Sequence, residues 1–260
     1  MKLQICAKIK YLLPKMRIVS MVPSWTETLI EAGGHIVGRT RFCIHPSQTV
    51  GTIPAVGGTK SWELEKLRWL KPDLIILDKE ENVAEMGEDI GLPLLVTHVS
   101  SVYDVANELK KMADRTSLPK LREFATRYEA SLFQRRIPLE QLPGVIEWIQ
   151  KPTATIDRIV YLIWKNPWMA VSKQTYIGSV LSLFVDENLL YQTPEKYPEL
   201  LLENFDHETT LLLFSSEPYP FRKRTKFIRG LGFPSAVVDG EKWSWFGVSG
   251  LRFLESTNSL

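Results

Sequence analysis

Short apolar runs alternate with longer amphipathic ones along this chain. Residues 18–22 (Ile-Val-Ser-Met-Val) read as a strand, Pro23-Ser24 breaks it, and a helix over 25–32 follows. The spacing places Ser24 at the helix N-cap with Glu27 three residues on, a capping box, and Gly33-Gly34 at its end. Residues 37–46 read as a short strand running into a loop, Gly57-Gly58-Thr59-Lys60 as a turn, and Ser61 as the cap of a helix reaching Leu70. Strands are predicted at 74–78 and 94–97, with a helix over 102–112; later strands fall at 159–163, 211–214 and 236–238, with a helix over 177–184. Alternating strands and helices predict α/β architecture with mainly parallel sheets. Ligands on such sheets bind outside the carboxyl ends of the strands.

The stretch 118–136, LPKLREFATRYEASLFQRR, separates two similar halves. Leu121, Phe124, Ala125, Tyr128 and Leu132 recur at helical spacing, and Pro119 suits a first turn. Arg135 and Arg136 are expected in the last turn, where cations suit the helix dipole. On either side, Arg17-Ile18-Val19 is answered by Arg158-Ile159-Val160, and Gly91-Leu92-Pro93 by Gly232-Phe233-Pro234, both 141 residues on. Glu63-Leu64-Glu65-Lys66-Leu67 is answered by Glu199-Leu200-Leu201-Leu202-Glu203. A repeat of half the chain predicts two pseudo-symmetric lobes bridged by one long helix, with a ligand cleft between them. The expected divisions are an N-terminal extension, 1–16; a first lobe, 17–117; the linking helix and connection, 118–156; and a second lobe, 157–260. The tail after Gly250 is short and polar and is expected to fray.

Charge adds little to this picture. Thirty-two basic residues against 30 acidic ones leave a net charge of +2, and the basic residues are dispersed, so nothing points to nucleic acid. The tight triplet Arg222-Lys223-Arg224 reads as a solvated helix start after Pro220. Two cysteines make no disulfide framework. No apolar run approaches the ~20 residues that span a bilayer. Lysines interrupt the first 15 residues, so no apolar core of a signal peptide is read there, and Met1 and Met16 both stand as candidate starts. The chain as encoded is expected in the cytoplasm, or in the periplasm if its start omits a signal peptide.

The predicted strand ends share a chemistry. They carry rings (Trp25, Phe42, Trp164, Trp168, Tyr219, Trp243, Trp245, Phe246), carboxylates (Glu80, Glu81, Glu217, Asp239, Glu241) and cations (Arg39, Arg41, Lys60, Lys79, Lys165). Aromatic walls with a few charged groups suit a flat, partly apolar ligand. Arg41, Trp164, Trp168, Glu217, Tyr219, Asp239, Glu241 and Trp245 are the expected ligand-binding residues. Cys43 and His45 alternate on an extended segment, which points both to one side as candidate metal ligands, with Glu81 or Glu217 as a third. An enzymatic alternative uses Glu80-Glu81, or Glu217 with Glu241, for acid/base work on a small molecule. Neither a nucleophile elbow, a P-loop nor a dinucleotide fingerprint is present.

Together, the strand, the Pro-Ser break, the Thr26-Glu27-Thr28 helix, Val37-Gly38-Arg39-Thr40, and Leu64-Glu65-Lys66-Leu67 before Leu70-Lys71-Pro72-Asp73-Leu74 resemble the helical-backbone substrate-binding proteins of ABC importers for cobalamin, ferric siderophores and haem. The resemblance covers residues 17–247. The motifs Arg39-Thr40-Arg41-Phe42-Cys43-Ile44-His45-Pro46, Ser216-Glu217-Pro218-Tyr219-Pro220-Phe221 and Asp239-Gly240-Glu241-Lys242-Trp243-Ser244-Trp245-Phe246-Gly247 look like a signal-less branch. It implies two lobes on one rigid helix, cobalamin or an iron chelate as ligand, an ABC permease as partner, and no catalysis. It also implies that Glu65 and Glu203, which the internal repeat pairs, dock on permease arginines. The chain departs from the family in its tail after Gly247, which looks too short for the usual closing helix.

Overall fold

The computed structural model describes residues 15–88 and 90–258. The expected extension, 1–16, therefore lies almost wholly outside the described residues. The chain divides into two compact units. One holds the residues up to His98 together with Leu109–Glu123; the other holds Val99–Glu108 together with the chain from Phe124 onward.

The first unit is built on β1 (Arg17–Ser20), α1 (Pro23–Glu31), β2 (His35–Arg39), the short turns α2 (Ser47–Val50) and α3 (Leu64–Trp69), β3 (Leu74–Asp78) and β4 (Leu94–Thr97). Its four strands run parallel in the order β2-β1-β3-β4. All five residues of β3 are buried, as expected of a strand covered on both faces. Val19, Val37, Ile75 and Leu77 pack with Leu67 of α3 and with Leu70 at its C-terminal cap in one apolar cluster. Two expected caps differ from what is found. α1 begins at Pro23, with Val22 at its N-cap and no capping side chain, because proline suits the first helical position. α3 begins at Leu64 with Glu63 at its N-cap, since Ser61 and Trp62 are held in a turn: Gly58 N–H donates to Ser61 C=O at 2.8 Å, and Gly57 pairs with Trp62.

α4 (Val105–Thr116) and α5 (Pro119–Ser131) follow, and the boundary between the units falls within each. α5 ends at Ser131, short of the expected 136. Arg135 and Ile137 instead donate their backbone N–H groups to the Leu183 and Phe184 carbonyls, at 2.7 and 2.9 Å. The Arg135 guanidinium still serves the helix terminus from outside it, reaching the Ser131 carbonyl at 3.2 Å and Asn258 Oδ1 at 2.6 Å.

The second unit adds β5 (Val145–Gln150), β6 (Arg158–Trp164), β7 (Trp168–Val171), α6 (Tyr176–Leu181), β8 (Glu199–Leu200), β9 (Thr210–Ser215), α7 (Thr225–Arg229), β10 (Ser235–Val238), α8 (Gly240–Ser244) and α9 (Gly247–Ser256). The sheet order is β5-β10-β9-β6-β7-β8. Within it, β7-β6-β9-β10 repeats the order β2-β1-β3-β4, and β6, β9 and β10 pair in parallel as β1, β3 and β4 do. β7 is the exception, antiparallel to β6. Only Lys165-Asn166-Pro167 joins the two, and three residues allow a hairpin where a parallel crossover needs a dozen or more. The repeat also breaks at Glu199–Leu200, which pairs as β8 and runs into a 3-10 turn, Leu202–Asn204, where the first unit has the helix α3.

The tail corrects two expectations. α9 is a helix with Val248, Leu251 and Leu254 buried, so the chain does carry a closing helix and does not fray after Gly250. Gly250 permits this packing: a Cβ there would stand 2.6 Å from the Tyr176 hydroxyl and 2.7 Å from that of Tyr128, two phenols bonded to each other at 2.7 Å. Arg127 clasps Glu255 with Nε and Nη2, at 2.8 and 2.7 Å. Leu251→Ala should therefore cost about 2–5 kcal/mol in urea denaturation, the range of a buried leucine truncation. A cost under about 0.5 kcal/mol, typical of a surface change, would mean the tail is loose.

Candidate functional site

At the carboxyl edge of the first sheet, buried polar side chains lock the loops. Trp25 Nε1–H donates to Thr97 Oγ1 at 2.9 Å, and the Thr97 hydroxyl donates to Asp78 Oδ2 at 2.7 Å. Asp78 Oδ1 accepts from Glu80 N–H at 2.9 Å, and Asn82 Oδ1 accepts from Asp78 N–H at 2.8 Å. Asn82 Nδ2 then donates to the carbonyls of Met21 and Thr59, at 3.2 and 2.7 Å. Three strand ends and the Gly57–Lys60 turn are thus tied into one frame. Trp25 is fully buried in it and is not available to a ligand. Around the frame stand Glu80, paired with His98 Nε2 at 3.0 Å, then Glu81, and Lys60, whose Nζ reaches the Glu80 carbonyl at 3.4 Å.

Arg41 and Phe42 lie in the turn after β2, both exposed, with the Arg41 guanidinium 5.0 Å from the Phe42 ring centre. Gly58 leaves room for them, since a Cβ there would meet Arg41 Nη2 at 3.3 Å. Arg39 is spent on the fold: its Nε donates to the Val50 and Ile53 carbonyls. Cys43 is buried, its Sγ within 3.1 Å of Thr26 Oγ1 and 3.2 Å of Thr40 Oγ1. Burial pushes its thiol pKa up despite those bonds, which favours the thiol over the metal-binding thiolate. His45 is half-buried before a cis peptide to Pro46. Among the described residues no three His, Cys, Asp or Glu side chains gather to hold a metal ion.

In the second unit the strand order reverses between β6 and β9, the switch point at which open α/β sheets bind ligands. Trp164 ends β6 and meets Tyr219, from the loop after β9, edge to face with 5.5 Å between ring centres. Trp164 is 40% exposed and Tyr219 half-buried. Glu217 leads into the same loop, and its carbonyl accepts from the Ser215 hydroxyl at 2.5 Å. A Cβ on Gly240 would stand 2.5 Å from Glu217 Cγ, so the loops after β9 and β10 close on each other only because position 240 is glycine. Burial, with the Glu217 and Asp239 carboxylates nearby, pushes the Tyr161 phenol up. Asp239 caps α8, accepting from Lys242 N–H at 3.3 Å. Asp239 and Glu241 also border a cavity of about 360 Å³ with Ser249, Arg252 and Phe253. Trp245 is half-buried just beyond α8.

The other expected rings divide differently. Trp168 stacks between Phe221 and Phe227, 6.1 and 6.2 Å away, while Lys165 Nζ lies 3.8 Å over the Phe227 ring. Trp243 and Phe246 are buried in the core. The carboxylates assigned to docking are both exposed, Glu65 on α3 beside Arg68 and Glu203 in its 3-10 turn. Thr97 and Asn82 carry no signal in the sequence: their neighbours in the chain give no hint of the buried network.

The architecture is that of an α/β binding-protein fold, and the comparisons agree with the resemblance read from the sequence. No family model matches the chain. It is 23% identical over 208 residues to the vitamin B12-binding protein of Vibrio parahaemolyticus, covering 78% of this chain and 71% of that one. An ABC transporter substrate-binding protein from Listeria monocytogenes shares the fold at a TM-score of 0.66 and 14% identity, over 94% of this chain and 97% of that one. A periplasmic haem-binding protein from Pseudomonas aeruginosa does so at 0.66 and 19%, over 94% and 92%. Among the described residues no helix is long and apolar enough to cross a membrane.

Thr97→Val keeps the shape but leaves Trp25 Nε1 without its acceptor and removes one donor from Asp78. It should cost about 1–3 kcal/mol in denaturant unfolding. An unchanged midpoint would mean the network does not hold the frame.

Proposed function

We propose that this chain is a substrate-binding protein that captures a metal chelate, cobalamin or an iron chelate such as haem or a ferric siderophore, in the periplasm and hands it to an ABC importer. The observation that carries the proposal is the pairing of exposed Trp164 with Tyr219 beside Glu217 at the switch point of the second sheet. Exposed rings beside a carboxylate suit a large, flat, partly apolar ligand with a few polar substituents. In the same unit Asp239, Glu241 and Trp245 supply further polar and aromatic contacts, while Trp168 supports the wall from behind. The similar proteins are named for what they bind and not for a reaction, which favours binding over the acid/base alternative. Glu65 and Glu203, exposed on different units, are the carboxylates offered to the permease.

Titrating the protein with cyanocobalamin, haemin and a ferric siderophore while following tryptophan fluorescence tests the reading. One of them should bind, and Trp245→Ala and Glu217→Ala should each weaken it at least about tenfold, ~1.4 kcal/mol, with unfolding midpoints kept. Unchanged affinity in both variants would reject this site. The double variant Glu65→Lys, Glu203→Lys should bind normally yet fail to support uptake of that ligand by cells carrying the importer; full uptake would reject the docking role.

A further inference from the structure

The segment that joins β9 to β10 carries charge of one sign only. Residues 218–238 hold five cations, Arg222, Lys223, Arg224, Lys226 and Arg229, and no Asp or Glu. The net charge of the whole chain is only +2, so these five outweigh its entire positive balance. All five are exposed, and among the described residues none of their side chains makes a hydrogen bond or ion pair. Cations elsewhere differ: Arg127 is held by Glu255, Arg136 by Asp186 and Arg68 by Glu65.

Local structure keeps these side chains outward. The chain passes through a 3-10 turn, Phe221–Arg224, and enters α7. Phe221 and Ile228 are fully buried in the core cluster of the second unit and anchor turn and helix from beneath. Lys226 and Arg229 lie three apart in α7 and share one face. Phe227 stands between them, 38% exposed, with its ring stacked 6.2 Å from Trp168 and Lys165 Nζ 3.8 Å from its centre. A sixth cation thus sits against an exposed ring.

Like charges crowded on one short segment repel each other, and no carboxylate of the segment relieves them. A surface of opposite charge does. We propose that this face docks the protein peripherally on an anionic phospholipid surface, its cations facing lipid phosphates and Phe227 entering the headgroup region. Each lysine or arginine near such a surface adds attraction that fades within a Debye length. Apolar side chains among cations suit the boundary between headgroups and acyl chains. A nucleic acid strand instead calls for a longer basic groove with successive stacking rings, and the other basic residues of this chain are dispersed. The inference goes beyond the proposed function. It needs no bound chelate, so its failure leaves the chelate reading untouched.

The test is co-sedimentation of the full chain, without chelate, with vesicles of phosphatidylglycerol and phosphatidylcholine in equal parts and with vesicles of phosphatidylcholine alone. Binding to the anionic vesicles should be at least about tenfold tighter at about 0.1 M salt and lost by about 1 M, where the Debye length is about 3 Å. Lys226→Gln with Arg229→Gln should weaken it at least about tenfold, with the thermal midpoint kept because both side chains are exposed. Phe227→Ala should weaken it without changing its salt dependence. Lys66→Gln with Arg68→Gln removes the same charge from cations that already face Glu63 and Glu65, and should leave vesicle binding unchanged. Equal binding to both kinds of vesicle, or to neither, would overturn the proposal. Equal losses in the two double variants would overturn it as well, by reducing the effect to net charge. An oligonucleotide held as tightly as the anionic vesicles, and lost with the same Lys226 and Arg229 substitutions, would overturn lipid as the partner.

Discussion

Parallel pairing is the constraint on which the rest depends. β1, β3 and β4 in one unit, and β6, β9 and β10 in the other, pair among themselves in parallel. Such strands cannot be joined by tight turns, so the chain returns each time through a crossover and leaves its free loops at the carboxyl edge. Those loops need no backbone partner from the sheet and can carry rings and charges without breaking it. The aromatic and acidic residues of the chain gather there for that reason: Trp164, Glu217, Tyr219 and Trp245 in one unit, Arg41, Glu80 and Glu81 in the other.

The two edges are stiffened differently. In the first unit a chain of buried hydrogen bonds from Trp25 through Thr97 to Asp78 does the work, with Asn82 closing it. In the second, backbone proximity does: Gly240 lets two loops touch at Glu217, and Ser215 pins the Glu217 carbonyl. Either way the side chains left over stand on a rigid base, which lowers the entropy lost when a ligand is held.

Much of the framework was legible in the sequence because buried parallel strands are short, continuous and well punctuated. β3 and β4 fall where Lys71-Pro72-Asp73 and Gly91-Leu92-Pro93 announce them, and the 141-residue repeat anticipated the shared strand order. Edge strands were not legible. β5 buries only Ile149 fully, so its apolar residues give no clean alternation, and β8 is two residues long. α9 was missed because Gly247, Ser249 and Gly250 lower its intrinsic helix preference, and the gain that outweighs this comes from packing against Tyr128 and Tyr176. α5 ran short because Arg135 and Ile137 found backbone partners 47 or so residues away in sequence, a choice no local pattern reports. The site was legible as composition but not as geometry. Trp25 and Trp243 look like Trp164 in sequence, yet only the fold shows the first two buried and the third at the surface.

The central claim is that the chain holds a metal chelate. Native mass spectrometry of the protein purified from its own host, with metal analysis of the same sample, tests it most directly. The account predicts one co-purifying species of corrinoid, haem or siderophore mass per chain, with its metal in equal amount. A bare chain mass that persists after incubation with these chelates would contradict it.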